Sequence, residues 1–326
     1  MMKKRSIILI AGVALIMSGC KKGNEVKCPG YLHLDKIDVV ERADAGTPSP
    51  TGFLSSDVDA VQLVAFWEGD EEETNLGTYQ LPCTLPVLRD KPITRLRLTP
   101  VVKQNGIAAT RIEYPYYEYI RLTDVPLATD STTNLGVQDA EGKWTVSTTY
   151  RPWTVQQIVD GQVLSVSDTL VKVLAQEYFE ASQVTWIFYD TNEVVGRTVE
   201  PSEVRDGTGS GVINVPADKQ TLDFEINNDI VCNDPGAYLY LEMDFKTDVR
   251  LSVGMRSAYY SGGNQSLLSA MTLYETKGEW KKIYINLGRL WAQFNHNSTF
   301  RVVFTALNSE GKGGKVYLDN VKLLQM

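Results

Sequence analysis

The chain has 326 residues and a formal net charge of −8, with an isoelectric point near 5.0. That sign argues against nucleic acid as a partner, which calls for a basic stripe, and the length accommodates two domains of ordinary size. Tyr (16) outnumbers Phe (9) and Trp (6), a surplus that suits β-sheets with partly wet faces, because tyrosine joins an apolar ring to a polar tip.

The first twenty residues fall into three parts. Lys3, Lys4 and Arg5 form a positive segment, Ser6 to Met17 carry no charge, and Ser18-Gly19-Cys20 closes the stretch with small residues. The apolar run is short for a spanning helix, which needs about 20 residues, and has the layout of a secretory signal. Leu15-Ile16-Met17-Ser18-Gly19-Cys20 resembles the lipobox of bacterial lipoproteins, with Met in place of the more usual Leu. The resemblance implies that residues 1–19 are removed and that Cys20 becomes a lipidated N-terminus, anchored by several acyl chains without a transmembrane helix. Lys21-Lys22-Gly23-Asn24-Glu25 follows. It looks unlike an inner-membrane retention signal and is less acidic than the tract common in surface lipoproteins of Bacteroidota. The expectation is an outer-membrane lipoprotein, with the surface and periplasmic faces both open and residues 20–28 as its tether.

From Gly30 the pattern turns to β. Tyr31 to Ile37, Val58 to Trp67, Ile93 to Val102 and Thr110 to Tyr119 read as strands, and Asn105-Gly106 is a hairpin dipeptide. Two prolines, Pro82 and Pro86, place the run between Leu76 and Leu88 at an edge or bend. The acid run Asp70-Glu71-Glu72-Glu73 reads as a solvated turn. These strands predict an immunoglobulin- or transthyretin-like β-sandwich over residues 29–127. Cys28 and Cys83 both fall near it and make one candidate disulfide, although one of Cys28, Cys83 and Cys232 is left over whichever pair forms. Residues 128–171, rich in Asp, Ser, Thr, Asn and Gly, read as a linker with short strands.

Residues 172–326 hold nine strand candidates, a number that suits a two-sheet jelly roll. They are 184–189, 211–215, 221–226, 237–246, 249–257, 269–276, 279–285, 300–306 and 315–323. Three segments resemble the galactose-binding-like jelly rolls of carbohydrate-binding modules and of many Bacteroidota lipoproteins. They are the glycine turn Gly207-Thr208-Gly209-Ser210-Gly211-Val212, the Trp-led strand from Gly278 to Leu287, and the closing strand from Lys315 to Leu323. The fold class is therefore all-β, a sandwich followed by a jelly roll.

Catalytic motifs are missing from this pattern. Neither His33 nor His296 lies near a nucleophile elbow, and Gly209-Ser210-Gly211 lacks the glycine two places before its serine. No phosphate loop, dinucleotide fingerprint or zinc spacing occurs. The chain reads as a non-catalytic envelope lipoprotein, an accessory or scaffold subunit docking onto an outer-membrane protein. The alternative is a glycan-binding lipoprotein, since sugar sites join an exposed ring to a few amides, acids or arginines. Tyr259, Tyr260, Asn264 and Gln265 form one candidate loop, and Arg289 and Trp291, with Asn295 and His296, another. Trp186 and Trp280 lie within alternating strands and read as core. No cofactor is required. The resemblance to related jelly rolls implies a possible structural calcium, with Glu180 and Asp319 as the matching acids.

Overall fold

A computed structural model describes residues 28–43, 52–88, 91–155, 158–159, 162–163, 170–181, 184, 186–191, 193–226, 229–231, 238–257, 267–294 and 299–326. Cys20, Cys232, Tyr259, Tyr260, Asn264, Gln265, Asn295 and His296 lie outside them. The first unit runs through β1 (Gly30–Leu34), β2 (Lys36–Val39), β3 (Ala60–Trp67), β4 (Thr74–Gln80), β5 (Cys83–Val87) and β6 (Ile93–Lys103). It continues with β7 (Arg111–Glu113), β8 (Ile120–Val125), β9 (Thr132–Asn134), β10 (Val137–Gln138) and β11 (Trp144–Thr148). The second unit holds β12 (Trp153–Val155), β13 (Ile158–Val159), β14 (Gln162–Val163), β15 (Val171–Glu177), β16 (Trp186–Phe188), β17 (Gly196–Thr198) and β18 (Ser210–Val215). It closes with β19 (Thr221–Ile226), β20 (Leu239–Thr247), β21 (Arg250–Ser257), β22 (Leu267–Leu273), β23 (Lys281–Asn286), a one-turn helix α1 (Gly288–Trp291), β24 (Phe300–Leu307) and β25 (Gly314–Gln325). The chain is all-β in two successive sandwiches.

Alternation builds the first unit. Along β3, Val61, Leu63, Ala65 and Trp67 enter the core, where they meet Leu96 and Leu98 of β6, while Gln62, Val64 and Phe66 point the other way. The sheet of β4, β3, β6, β7 and β8 packs over short sheets made by β5-β1-β9 and β10-β11-β2. The boundary expected at residue 127 is corrected here. β9 pairs in parallel with β1, and β11 with β2, so residues 132–148 complete the first sandwich instead of linking it to the second. Their run is polar, and only pairing with distant strands marks it as structure.

The Cys28–Cys83 bridge is likewise corrected. The two thiols are not joined, because the antiparallel register pairs Cys83 with Leu34 and puts Gly30 opposite Val87. Cys28 therefore lies past the far end of β1, about 20 Å of strand away, and a disulfide needs Cα atoms within about 7 Å.

All nine expected jelly-roll strands occur. β16, β19, β24, β21 and β22 make one sheet; β23, β20 and β25 form the spine of the other, with β15 and β18 paired along the two halves of β25. Trp186, Phe224, Met243, Val253, Phe304 and Leu318 fill the space between. The sequence reading leaves out β15 and β17.

β20 carries the feature that sets the architecture. Leu239, Leu241, Met243 and Phe245 face the jelly-roll core, yet Tyr240, Glu242, Asp244 and Lys246 on its other face are buried too. The first unit covers Tyr240, Glu242 and Asp244, while Lys246 lies under Ser202, Trp280 and Tyr317 of its own unit. A third core formed by Val39, Phe53, Tyr114, Tyr116, Tyr117, Tyr150, Tyr240, Tyr284 and Leu324 seals the two units together. Gly52 shows how closely they approach: its φ is +79°, and a Cβ there would sit 1.6 Å from the Asn320 side chain on β25.

Candidate functional site

The seam between the units is built around one carboxylate. Glu242 accepts hydrogen bonds from Tyr114 Oη at 2.6 Å and Tyr150 Oη at 2.8 Å, and Lys322 Nζ lies 3.0 Å from it. Lys322 also donates to Tyr150 Oη at 2.8 Å and to the Phe53 carbonyl. Burial works to raise the Glu242 pKa, but Lys322, Lys282 and the two tyrosine hydroxyls outweigh it and hold the carboxyl below its ordinary value. The same burial pushes Lys322 down to about 8, against the pull of Glu242. Tyr114, Tyr117, Tyr150 and Tyr284 are raised well above 10 by burial. Next along β20, Asp244 accepts from Asn320 Nδ2 at 2.8 Å and from Ser55 Oγ.

A hairpin tip then divides the rim of this seam. Asn105 and Gly106 take φ of 56° and 68°, as the hairpin turn expected from that dipeptide requires. The tip lies against the edge strand β23: Asn105 N–H donates to the Tyr284 carbonyl at 2.8 Å, and Asn286 N–H donates to Asn105 Oδ1 at 2.9 Å. Asn105, Gly106 and Ile107 line one cleft, and Gln104 lines another.

The first cleft has a volume of about 920 Å³ and draws its walls from both units, a size and setting typical of small-ligand and sugar sites. Trp280, Tyr274 and Met271 supply apolar surface, and Asp57, Lys103, Arg205 and Lys282 bring charge. Tyr274 is 66 % exposed. Two buried donors here have no hydrogen-bond partner among the described residues, Trp280 Nε1 and Lys282 Nζ. The Lys282 side chain is 3 % exposed, and its nearest carboxylate oxygens, on Glu242 and Asp244, stand 3.6 and 3.8 Å away. Both atoms are closed off from solvent, so they belong to the wall of the cleft, and Lys282 turns its charge toward the carboxylates of the seam. Asp57 has its pKa raised by burial, with Asp59 and Asp244 adding to the rise and Lys103 and Lys282 opposing it.

The residues expected to bind sugar are distributed differently. Trp291 is fully buried, its ring 4.9 Å from that of Phe300; the single turn of α1 rotates it into the core, and Arg289 points outward. The platform reading of Trp291 is therefore corrected, and so is the core reading of Trp280, which is half-buried and lines the cleft. Trp186 is core, as expected. Glu180 and Asp319 grip one turn from two sides. Glu180 accepts from Thr208 N–H at 3.0 Å and Thr208 Oγ1 at 2.7 Å, and Asp319 accepts from Ser210 Oγ at 2.6 Å and Asn320 N–H at 2.7 Å. These carboxylates thus brace the glycine turn, and among the described residues no group of three His, Cys, Asp or Glu is placed to hold a metal. Burial pushes Asp319 up to about 7.

On the open face of the β16–β22 sheet, Arg256 stacks 3.6 Å from the centroid of the Tyr189 ring and pairs with Glu225 at 3.0 Å, which also pairs with Arg301 at 2.8 Å. Those charges largely answer one another. The sequence signals missed at the seam were the run Tyr114-Pro115-Tyr116-Tyr117 and the acids at alternate positions of β20.

No protein-family model and no curated protein matches the chain. Among solved structures, it is similar to a family 30 carbohydrate-binding module of a cellulosomal cellulase from Clostridium thermocellum, at 17 % identity over 45 % of this chain and 95 % of that one, with a TM-score of 0.35. A family 11 module from the same organism, in complex with a mixed-linked β-1,3-1,4 tetrasaccharide, matches at 15 % identity over 45 % and 93 % of the two chains, TM-score 0.30. An arabinose-bound GH51 α-L-arabinofuranosidase matches at 14 % identity over 47 % of this chain and 27 % of that one, TM-score 0.35.

Proposed function

We propose that the chain is a non-catalytic glycan-binding lipoprotein, anchored through Cys20 to the outer membrane and taking a sugar segment in the Trp280 cleft. The observation that carries the reading is a cleft of about 920 Å³ between the two units, walled by the half-buried Trp280 and the exposed ring of Tyr274 and edged by Asp57, Lys103 and Arg205. Aromatic rings receive the C–H face of a sugar, and polar groups at the edge of the cleft (Asp57, Lys103, Arg205) select its hydroxyls. Binding is preferred to hydrolysis because Glu275, the acid that would have to work with Asp57, sits exposed on the rim beside Arg250, 4.0 Å away, outside the interior of the cleft where an acid pair would have to flank a glycosidic bond. The anchor rests on the lipobox-like segment ending at Cys20. With so much of the jelly-roll sheet consumed by the seam, the rims of the two clefts are what a tethered protein offers to a passing polymer.

The test is a soluble chain lacking residues 1–20, screened on a glycan array and then by calorimetry, beside Trp280→Ala and Tyr274→Ala. Each substitution is expected to weaken the retained glycan about tenfold or more, the loss of one stacking contact. Failure of the wild type to retain any glycan, or full retention by both variants, refutes the reading.

A further inference from the structure

The outward face of the first unit's large sheet carries a charge pattern that runs against the sign of the whole chain. β6 presents Arg95 and Arg97 there, β8 presents Arg121, and the register sets Arg97 directly opposite Arg121. Like charges facing across a ladder repel, so this pair gains from an anion between them. Two of the guanidiniums rest on rings: Arg95 Cζ lies 3.7 Å from the centroid of Phe66, and Arg121 Cζ lies 4.7 Å from that of Tyr119 while one of its N–H groups donates to Tyr119 Oη. A guanidinium fixed against a ring is pre-organised, and with five N–H donors it keeps others available for an anion. Arg97 meets Glu73 at 3.1 Å in a pair whose side chains are 34 % and 46 % exposed, a contact that an incoming anion can replace at little loss. Among the described residues, no carboxylate lies within ion-pair distance of Arg95, Arg121 or Arg151.

This face runs directly into the second cleft, of about 640 Å³, which Arg97, Tyr119, Arg151 and Tyr238 line and in which Glu113 is the one acid among the lining residues. Tyr119 and Tyr238 are 38 % and 58 % exposed, so flat apolar rings flank the cations. Rings alone suit any sugar; rings beside an excess of arginine over carboxylate select one that carries carboxylate or sulfate.

We propose that the Arg97–Arg121 face and the adjoining tyrosine cleft form a second binding site, specific for an anionic polysaccharide whose carboxylate or sulfate bridges Arg97 and Arg121 while its sugar rings stack on Tyr119 and Tyr238. This site is separate from the Trp280 cleft and does not rest on the reading given for it.

Affinity electrophoresis on polygalacturonate, dextran sulfate and neutral pullulan tests it, with wild type, Arg97→Gln/Arg121→Gln and Trp280→Ala side by side. Polygalacturonate and dextran sulfate separate the carboxylate and sulfate sources of the same chemistry. Wild type is expected to be retarded by at least one anionic polymer, about tenfold more weakly in the double variant, and less as salt rises from about 50 to about 300 mM. Trp280→Ala retains the anionic response in full, so loss of neutral-glycan binding in that variant speaks to the first cleft alone. Retardation by neither anionic polymer, retardation unchanged in the double variant, or preference for phosphatidylglycerol vesicles over both polymers overturns the proposal.

Discussion

Replacing Glu242 by glutamine isolates the charge at the centre of the seam. The amide keeps the shape, but its single oxygen can accept from only one of Tyr114 and Tyr150, which donate to the two different carboxylate oxygens at 2.6 and 2.8 Å, and the fully buried Lys322 loses the carboxylate 3.0 Å from its ammonium. Breaking one side of a buried pair costs about 3–5 kcal/mol. The lysine has an alternative: with a folded-state pKa of about 8, releasing its proton at pH 7 costs only about 1.4 kcal/mol, on top of whatever loss a neutral lysine leaves. With about 1–2 kcal/mol for the hydrogen bonding lost even in the neutral state, the loss falls at the lower end of that range, about 3 kcal/mol, and for a chain of this size it corresponds to a melting temperature lower by about 5 °C. The effect must also depend on pH. Lys322 titrates near 8 in the folded protein, so at about pH 9.5 it is largely neutral in the wild type and the loss shrinks to about 1–2 kcal/mol. Thermal and urea melts of both proteins at the two pH values measure this, and Glu242→Leu/Lys322→Met, which removes both charges, is expected to recover most of the stability. A Glu242→Gln loss below about 1 kcal/mol at neutral pH, or one that does not change with pH, refutes the account of the seam.

Three further outcomes follow from the same geometry. Asp319 is raised to about 7 from 3.8, so the folded state holds its proton more tightly; its contribution is fully present below about pH 4 and is lost as pH rises through 7. Melting temperature should therefore carry a downward component across that window, and Asp319→Asn should remove it; an unaltered pH profile contradicts the assignment. Trp291→Ala, emptying a fully buried site, should cost about 3–5 kcal/mol in denaturant melts while leaving any glycan affinity measured below the transition unchanged; a selective loss of binding restores Trp291 as a platform. Because hydrogen-bond donors of one turn already occupy Glu180 and Asp319, millimolar calcium or EDTA should leave the melting temperature unchanged, and a calcium-dependent rise returns those acids to a cation site.

The strands of the jelly roll were legible because each carries its own alternation: Val253 and Met255 of β21, or Phe304 and Ala306 of β24, announce their face without reference to any partner. β9 was not. Thr132, Thr133 and Asn134 have no apolar side, and parallel pairing with Tyr31, Leu32 and His33, about a hundred residues away, makes them a strand. The two tryptophans were exchanged for a related reason. Ile283 and Ile285 are core, so period-two parity carried back along β23 puts Trp280, Lys282 and Tyr284 on the opposite face; that face reads as solvent unless the covering unit is known. Trp291 belongs to a single helical turn, too short to show a stripe.

The same blind spot explains where function concentrates. Glu242, Asp244, Lys282 and Lys322 read locally as the wet side of a sheet, and the first unit converts them into a buried ionic seam by laying Ser55, Tyr114 and Tyr150 over them. A sheet face used in this way is lost to ligands, so concave surface survives only where the covering is incomplete, at the two clefts beside the Asn105–Gly106 tip. Both clefts borrow walls from both units: Asp57 and Lys103 face Trp280 and Lys282 in one, Arg97 and Tyr119 face Tyr238 and Asn286 in the other. Ligand geometry is then only as well defined as the seam, and Glu242, which lines neither cleft, becomes a residue whose replacement should loosen binding at both while leaving every contacting side chain in place.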